Sequence, residues 1–274
     1  MTSWQSRFAA ASADRTGAYE QVLVPSLFHP WACLLVGQLD VREGSRVLDV
    51  ACGPGTLARV LAGEAGVSGT VTGTDISPAM LSAARAKPVA AGAPQHYLLT
   101  SAAPLEGVLD GAYDLTCCQH GLQFFPDRPA AIAEWYRVTA SGGNIAVAVW
   151  SPLSHNPAFA ALHDAAAAVF GDDIAAAFTL PWSMCGDEVA ALLEEGGFTE
   201  IRHRRRTLPT VFPGGIGGLR TVYRFSPIAG DIQSLTSNAE KALTRELTSR
   251  LEPFVHNGVL SMPTRADLVT ARRP

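Results

Sequence analysis

The sequence predicts an α/β fold: an open, mostly parallel sheet with helices on both faces. Three observations carry that expectation. Residues 46–50 hold the apolar run Val47, Leu48 and Val50, of the kind a buried parallel strand shows. A glycine turn, Ala51-Cys52-Gly53-Pro54-Gly55, then leads into a helix-period segment through Leu57, Val60 and Leu61. A second short run, Thr70, Val71 and Thr72, is followed by an acidic residue, Asp75. Strand, turn, helix and strand make one βαβ unit, the repeating element of parallel sheets.

The other elements follow in chain order. Residues 1–44 read as helices ahead of the sheet, with Pro25 and Pro30 breaking the run 19–39 because each removes a helical N–H. Beyond Asp75, Ser77 can cap a helix whose first position is Pro78, and Met80, Leu81 and Ala84 recur at helical spacing. A third strand is expected over 95–100 and a fourth over 113–118, ending on Gln119-His120. In that strand the vicinal pair Cys117-Cys118 points to opposite faces as two small apolar residues. Phe124-Phe125-Pro126-Asp127 turns into a helix carrying Ile132, Trp135 and Val138, the phenylalanines filling the helix–sheet seam. Ser141-Gly142-Gly143 reads as a turn, and 145–150 as an interior fifth strand.

After Trp150 the regular alternation stops. Residues 151–185 read as an insertion with helices at 159–170 and 173–178, and 187–197 as the helix before a sixth strand at 200–211. Residues 213–256 insert again, with Gly214, Gly215, Gly217 and Gly218 and then a helix near 239–251; no strand precedes these glycines, so a second nucleotide loop is not expected. The expected organisation is one domain over 1–274: a core at 45–150, a helical cap from 1–44, 151–185 and 213–256, and a terminal strand pair from 199–212 and 259–270.

Composition narrows the class. Of the 274 residues 47% are hydrophobic, enough for a large core, and 17% charged is low for a disordered chain. A net charge of −4 gives no reason to expect nucleic acid or an anionic membrane as partner. The cluster Arg202-His203-Arg204-Arg205-Arg206 lacks a wider basic face and reads as protection of a sheet edge. Five cysteines without paired spacing do not suggest a disulfide framework. The first residues lack a signal peptide's apolar stretch, and the run 31–36 is too short to cross a bilayer, so a soluble cytoplasmic protein is expected. His155, His163 and Asp164 form no tight ligand set, so no metal is expected, and no G-x-S-x-G elbow is present.

The βαβ unit looks built for a nucleoside. Its glycines let a ligand approach the backbone, the following helix aims free N–H groups at it, and such ligands sit beyond the carboxyl ends of the strands. Asp75, at the end of the second strand, can accept from a ribose diol. Gly53-Pro54-Gly55-Thr56-Leu57-Ala58 nominally fits a dinucleotide fingerprint, but Asp49 argues otherwise. A second anion there repels a diphosphate and welcomes an ammonium. S-adenosylmethionine has an amino-acid end, a ribose and no phosphate, so it is the better match.

The motifs also carry a resemblance. Residues 47–55 (VLDVACGPG) followed by 73–81 (GTDISPAML) resemble the class I S-adenosylmethionine-dependent methyltransferases, in the style of the ubiquinone/menaquinone-biosynthesis branch. Residues 118–128 (CQHGLQFFPDR), Arg137-Val138 and Ser141-Gly142-Gly143 are similar to that branch as well. The resemblance spans roughly residues 15 to 150 and implies a Rossmann-like seven-stranded sheet whose last strand, at 259–269, is antiparallel beside the sixth.

It also implies roles. The cofactor pocket is expected from Asp49, Ala51, Gly53, Gly55, Asp75, Ile76, Met80, Ser101, Ala102 and Gln119, with Ile76 and Met80 walling an adenine slot. Tyr19 either closes over the cofactor or is a packing residue; Phe28, His29 and Trp31 read as cap packing. Ser101 stands where relatives carry an acid, which leaves a hydroxyl without charge assistance to accept from the adenine amine. Ala51 stands where many relatives have glycine, and alanine is tolerable there if the backbone stays at negative φ. His120 is the catalytic candidate, with three readings open: general base, cofactor or substrate contact, or structural group. The implied activity is methyl transfer to a small, hydrophobic acceptor, with no nucleic-acid or membrane partner and a homodimer left open. Two other classes stay in view, an enzyme using the bound sulfonium without methylating and a non-catalytic binding protein; an NAD-dependent oxidoreductase ranks below both.

Overall fold

The computed structural model describes residues 17, 19–87, 91–212, 214–226 and 228–274; the helices expected within residues 1–16 lie outside that set. Its strands are β1 (Arg46–Val50), β2 (Thr70–Asp75), β3 (Gln95–Leu99), β4 (Tyr113–Gln119), β5 (Thr139–Trp150), β6 (Thr199–Phe212), β7 (Val255–His256) and β8 (Val259–Arg272). They form one sheet in the order β3-β2-β1-β4-β5-β8-β6, with β7 paired to β8. The first five neighbours run parallel. β8 runs antiparallel between β5 and β6, as expected for the last long strand. The short β7 makes the count eight where seven were expected.

The helices are α1 (His29–Val36), α2 (Thr56–Ala65), α3 (Pro78–Arg85), α4 (Arg128–Val138), α5 (Pro157–Phe170), α6 (Asp172–Phe178), α7 (Gly186–Glu195), α8 (Gly215–Arg220), α9 (Ala229–Gln233) and α10 (Ser237–Leu251). A wide π-type helical segment, Tyr19–Phe28, precedes α1. Their starts follow local chemistry. Ser77 accepts from the Met80 N–H at the head of α3, and Asp127 accepts from the Ala130 N–H at the head of α4.

One expected boundary is wrong. Ser141-Gly142-Gly143 is not a turn between elements but lies inside β5. The register of β5 against β4 steps from Tyr113↔Thr139 to Leu115↔Asn144, so the extra residues leave the ladder as a bulge within one long strand. Thr139 starts that strand, its side chain donating to the Trp135 carbonyl and meeting the Thr116 hydroxyl at 2.8 Å.

Alternation along the central strands sorts side chains to two faces. Val47, Cys117, Ala146 and Ala148 pack with Leu35, Leu57 and Leu61 of α1 and α2. Leu48, Cys118, Val147 and Val149 pack with Ile132, Trp135, Val189 and Leu193 of α4 and α7. The vicinal cysteines thus face opposite layers and stay free. At the far edge β6 exposes Arg202 and Arg204, while Arg205 turns back to the buried Asp267 of β8, Nε to Oδ1 2.8 Å.

A third apolar cluster joins Leu23, Leu27 and Trp31 to Trp150 and to Phe159, Phe178, Trp182, Phe212, Tyr223, Leu243 and Leu247. It lies around the carboxyl end of β5. Each such buried side chain contributes about 1.5–3 kcal/mol, so burial rather than strand pairing holds these helices in place. Asn156 pins where they begin: its side-chain amide donates to the Ser151 carbonyl (2.9 Å), and its Oδ1 accepts from the Arg265 N–H (2.8 Å).

Candidate functional site

At the carboxyl ends of β1 and β4 the turn 51–55 bends back before α2. The Cys52 N–H reaches the Thr74 carbonyl (2.9 Å) and the Gly55 N–H the Cys52 carbonyl (3.0 Å). Gly53 and Gly55 sit at φ +53° and +75°, where glycine pays no steric penalty; a Cβ on Gly55 would also come within 2.6 Å of the Tyr97 hydroxyl. Ala51 does not meet the condition of negative φ. Its φ is +57°, so this alanine holds a left-handed conformation that the turn's geometry imposes on it.

Beside the turn is a narrow cleft of about 40 Å³, lined by Tyr19, Phe28, Asp49, Ala51, Cys52, Gly53, Pro54, Thr56, Leu57 and Gln119. Asp49 is 1% exposed, and its Oδ2 has no hydrogen-bond partner among the described residues. Burial pushes its carboxyl pKa up to about 8. Asp75 accepts from the Gly53 N–H and the Ser77 N–H, each at 2.8 Å, and burial raises its pKa despite both bonds. Desolvation keeps Asp49 largely protonated at neutral pH until a cation pairs with it, and Asp75 doubles as a brace for the glycine turn.

The leading segment closes over this cleft. Gln119 Nε2 donates to the Phe28 carbonyl (3.0 Å), tying the segment to the end of β4. The Tyr19 ring stacks on Phe28 with centroids 5.0 Å apart and meets Phe225 edge-on at 5.2 Å. Burial, with the Asp75 and Glu20 charges, holds the Tyr19 hydroxyl well above its ordinary pKa. Lys87 pairs with Glu20 and also donates to the Pro54 carbonyl at 2.9 Å, which Arg59 Nη1 reaches at 2.7 Å.

Of the residues expected to hold a cofactor, Tyr19, Asp49, Ala51, Gly53 and Gln119 line the cleft, and Asp75 touches it through Gly53. Gly55, Ile76, Met80, Ser101 and Ala102 do not line it. Ile76 is 37% exposed, the Ser101 hydroxyl donates to the Pro104 carbonyl (2.8 Å), and Ala102 packs against the α4 side of the core. Phe28, Cys52, Pro54, Thr56 and Leu57 complete the lining and were not singled out for it. For Thr56 the available signal was a hydroxyl in the first turn of a helix that follows a glycine bend; its Oγ1 is buried without a partner among the described residues.

His120 stands at φ +55° just past β4. Its ring is buried and stacked on Trp150, with centroids 3.7 Å apart and planes 4° from parallel. Trp31 meets it edge-on at 6.4 Å and Phe28 lies at 6.1 Å. Neither ring nitrogen has a hydrogen-bond partner among the described residues. Burial pulls its pKa down to about 3, so the imidazole is neutral at physiological pH.

A larger groove lies at the opposite, amino end of the parallel strands, between residues 38–45, Asp114, residues 140–145 and Arg272. The ion pairs Arg46–Asp114 (2.6 Å) and Arg272–Glu200 (3.3 Å) already satisfy charges there. Size alone does not make a site. Ligands of such sheets sit at the carboxyl ends, which is also where Asp49, Thr56 and His120 bury unpartnered polar atoms. Among the described residues no group of three or more His, Cys, Asp or Glu side chains is placed to hold a metal ion.

Comparison with known proteins agrees with this geometry. Residues 47–143 match the methyltransferase domain family. The ubiquinone/menaquinone biosynthesis C-methyltransferase UbiE of Burkholderia mallei is 34% identical over 131 residues, 46% of this chain and 54% of that protein. The chain thus spans about half the length of the curated relatives it matches. Among solved structures, phosphoethanolamine N-methyltransferase 2 of Haemonchus contortus, in complex with S-adenosyl-L-methionine, superposes with a TM-score of 0.63 at 16% identity, over all of this chain and 60% of that one. The YcgJ protein of Bacillus subtilis gives 0.58 at 17% identity, over 89% and 98%. In fold the chain is similar to these methyltransferase structures, and in residues 47–143 it is similar to the methyltransferase domain family. Among the described residues no helix is long and apolar enough to cross a membrane.

Proposed function

We propose that this chain transfers a methyl group from S-adenosylmethionine to a small, hydrophobic acceptor. The observation that carries the reading is Asp49, a buried carboxyl with an unpartnered oxygen, in a cleft shared with the open backbone of Gly53. A carboxyl left unsatisfied in a protein interior is costly, and an ammonium group satisfies it. Asp49 would hold the cofactor's amino group, the turn 51–55 its amino-acid end, Asp75 its ribose, and Ile76, Met80, Ser101 and Ala102 its adenine.

When bound, the cofactor supplies an electrophilic methyl on a sulfonium. The chain's own residues exclude water and align the acceptor, which accounts for much of the acceleration such transfers need. The aromatic side chains Phe28, Trp31, Trp150, Phe159 and Trp182 around the end of β5 favour an apolar acceptor. Burial makes the His120 imidazole a weak proton acceptor, which supports a role in contact over one as general base. Calorimetric titration with S-adenosylmethionine, and release of S-adenosylhomocysteine over a panel of hydrophobic acceptors, tests the reading. Binding to the wild type and its loss in Asp49→Asn are expected; unchanged binding in Asp49→Asn contradicts it.

A further inference from the structure

The aromatic surroundings of His120 say more about the acceptor than the cofactor cleft does. Its imidazole and the Trp150 indole are nearly coplanar-stacked at 3.7 Å, forming a flat shelf at the ends of β4 and β5. Both imidazole nitrogens are buried yet bond to nothing among the described residues. A buried polar ring without partners costs free energy unless a ligand completes it. The ring of Phe28 both lines the cofactor cleft and faces the shelf, 6.1 Å from His120 and 6.3 Å from Trp150. It is an aromatic ring standing between the cleft and the shelf, held there through its carbonyl by Gln119 and through its face by Tyr19.

We propose that His120 selects the acceptor: one of its two free ring nitrogens takes the hydroxyl of an uncharged, planar acceptor that lies by the Trp150 shelf in the place of the Phe28 ring. This rests on the methyl-transfer reading and adds the acceptor's chemistry to it. A neutral imidazole can both donate and accept, so it pairs with a hydroxyl in either sense, which a phenylalanine at this position cannot do. A carboxylate or phosphate can accept one bond from it but meets no positive charge to offset its desolvation. Burial alone lowers the imidazole pKa, and no neighbouring charge among the described residues contributes to the shift, so no counter-ion is on hand for a charged acceptor.

Three probes of one shape separate the terms: 4-phenylphenol, biphenyl and biphenyl-4-carboxylate, titrated into the protein with and without S-adenosylhomocysteine and followed by calorimetry and tryptophan fluorescence. The expected order is 4-phenylphenol over biphenyl by roughly tenfold, one good hydrogen bond, with the carboxylate weakest. His120→Phe keeps an aromatic ring and should erase the preference for 4-phenylphenol while still binding biphenyl; His120→Asn, which suits the left-handed backbone, should restore part of it. Phe28→Ala should tighten 4-phenylphenol severalfold, because no ring then has to be displaced. The proposal is overturned if the wild type fails to bind 4-phenylphenol, binds it no better than biphenyl, or binds the carboxylate as well, if His120→Phe keeps the preference, or if Phe28→Ala weakens binding. Failure of S-adenosylhomocysteine to bind instead sinks the methyl-transfer reading, and the titrations without it still read the shelf alone.

Discussion

The methyl group of Ala51 lies directly over Gly121: a Cβ built on Gly121 would approach the Ala51 Cβ to 2.8 Å and the Cys118 Sγ to 2.9 Å. The tips of β1 and β4 therefore meet through one methyl with no room for a second. Because Ala51 also holds φ +57°, Ala51→Gly removes a conformational penalty and is expected to stabilise the fold by up to about 1 kcal/mol. Gly121→Ala should destabilise by about 1–3 kcal/mol through overpacking. The double variant should recover a measurable part of that loss in urea unfolding. Strict additivity of the two changes contradicts the contact.

Asp49 links stability to pH with an unusual sign for an acid. Its carboxyl pKa rises from the ordinary 3.8 to about 8 on folding, so the native state binds that proton more tightly than the unfolded chain does. The associated stability is complete below pH 4 and is lost as pH rises through about 8. Asp49→Asn avoids the loss, so its stability relative to wild type is expected to rise by about 4 kcal/mol between pH 5 and pH 8.5. Unfolding curves at both pH values check this; an unchanged gap contradicts it.

His120 gives the opposite slope. Its pKa falls from 6.5 to about 3 on folding, so its contribution is present above pH 6.5 and is lost as pH drops toward 3. The groups surrounding it, Phe28, Trp31 and Trp150, do not ionise in that range. Wild type should lose about 2 kcal/mol between pH 6.5 and 5 that His120→Phe does not lose. By the same reasoning, the rate of methyl transfer should show no inflection from this residue between pH 5.5 and 9; a His120-dependent inflection near pH 6.5 contradicts the buried, neutral ring.

Glu20 and Lys87 fasten the leading segment to the glycine turn, since Lys87 also holds the Pro54 carbonyl. Glu20→Gln should weaken that fastening by about 1 kcal/mol and speed release of S-adenosylhomocysteine roughly fivefold. The wild-type release rate should rise with salt and that of the variant should not. Stopped-flow release at two ionic strengths reads both; equal rates in the two proteins contradict a closing role for the pair.

How much of this was legible in the sequence depended on the kind of information. The strand at residues 46–50, the bend at Gly53 and Gly55 and the cap at Ser77 were readable because each is local: apolar runs, glycine freedom and hydroxyl capping need no distant partner. The opposite facing of Cys117 and Cys118 followed from strand geometry alone. The left-handed backbone of Ala51 was not legible, because alanine does not signal positive φ and the turn imposes it. Ser141-Gly142-Gly143 carried a turn's composition yet bulges within β5, where pairing to β4 and β8 outweighs local preference. The proximity of Phe28, His120 and Trp150 depends on contacts between residues 30 to 122 positions apart in the chain, which no local pattern encodes. The ionisation state of Asp49 was not legible for a related reason: it is set by burial, and burial is a property of the fold.

Calorimetric titration of S-adenosylmethionine at pH 7, in two buffers of different ionisation enthalpy, tests the central claim most directly. Pairing of the ligand's ammonium with Asp49 should expel the proton that burial keeps there, so wild-type binding should release about one proton and Asp49→Asn none. Binding with no proton release in the wild type, or with the same release in both proteins, contradicts the placement of the cofactor against Asp49.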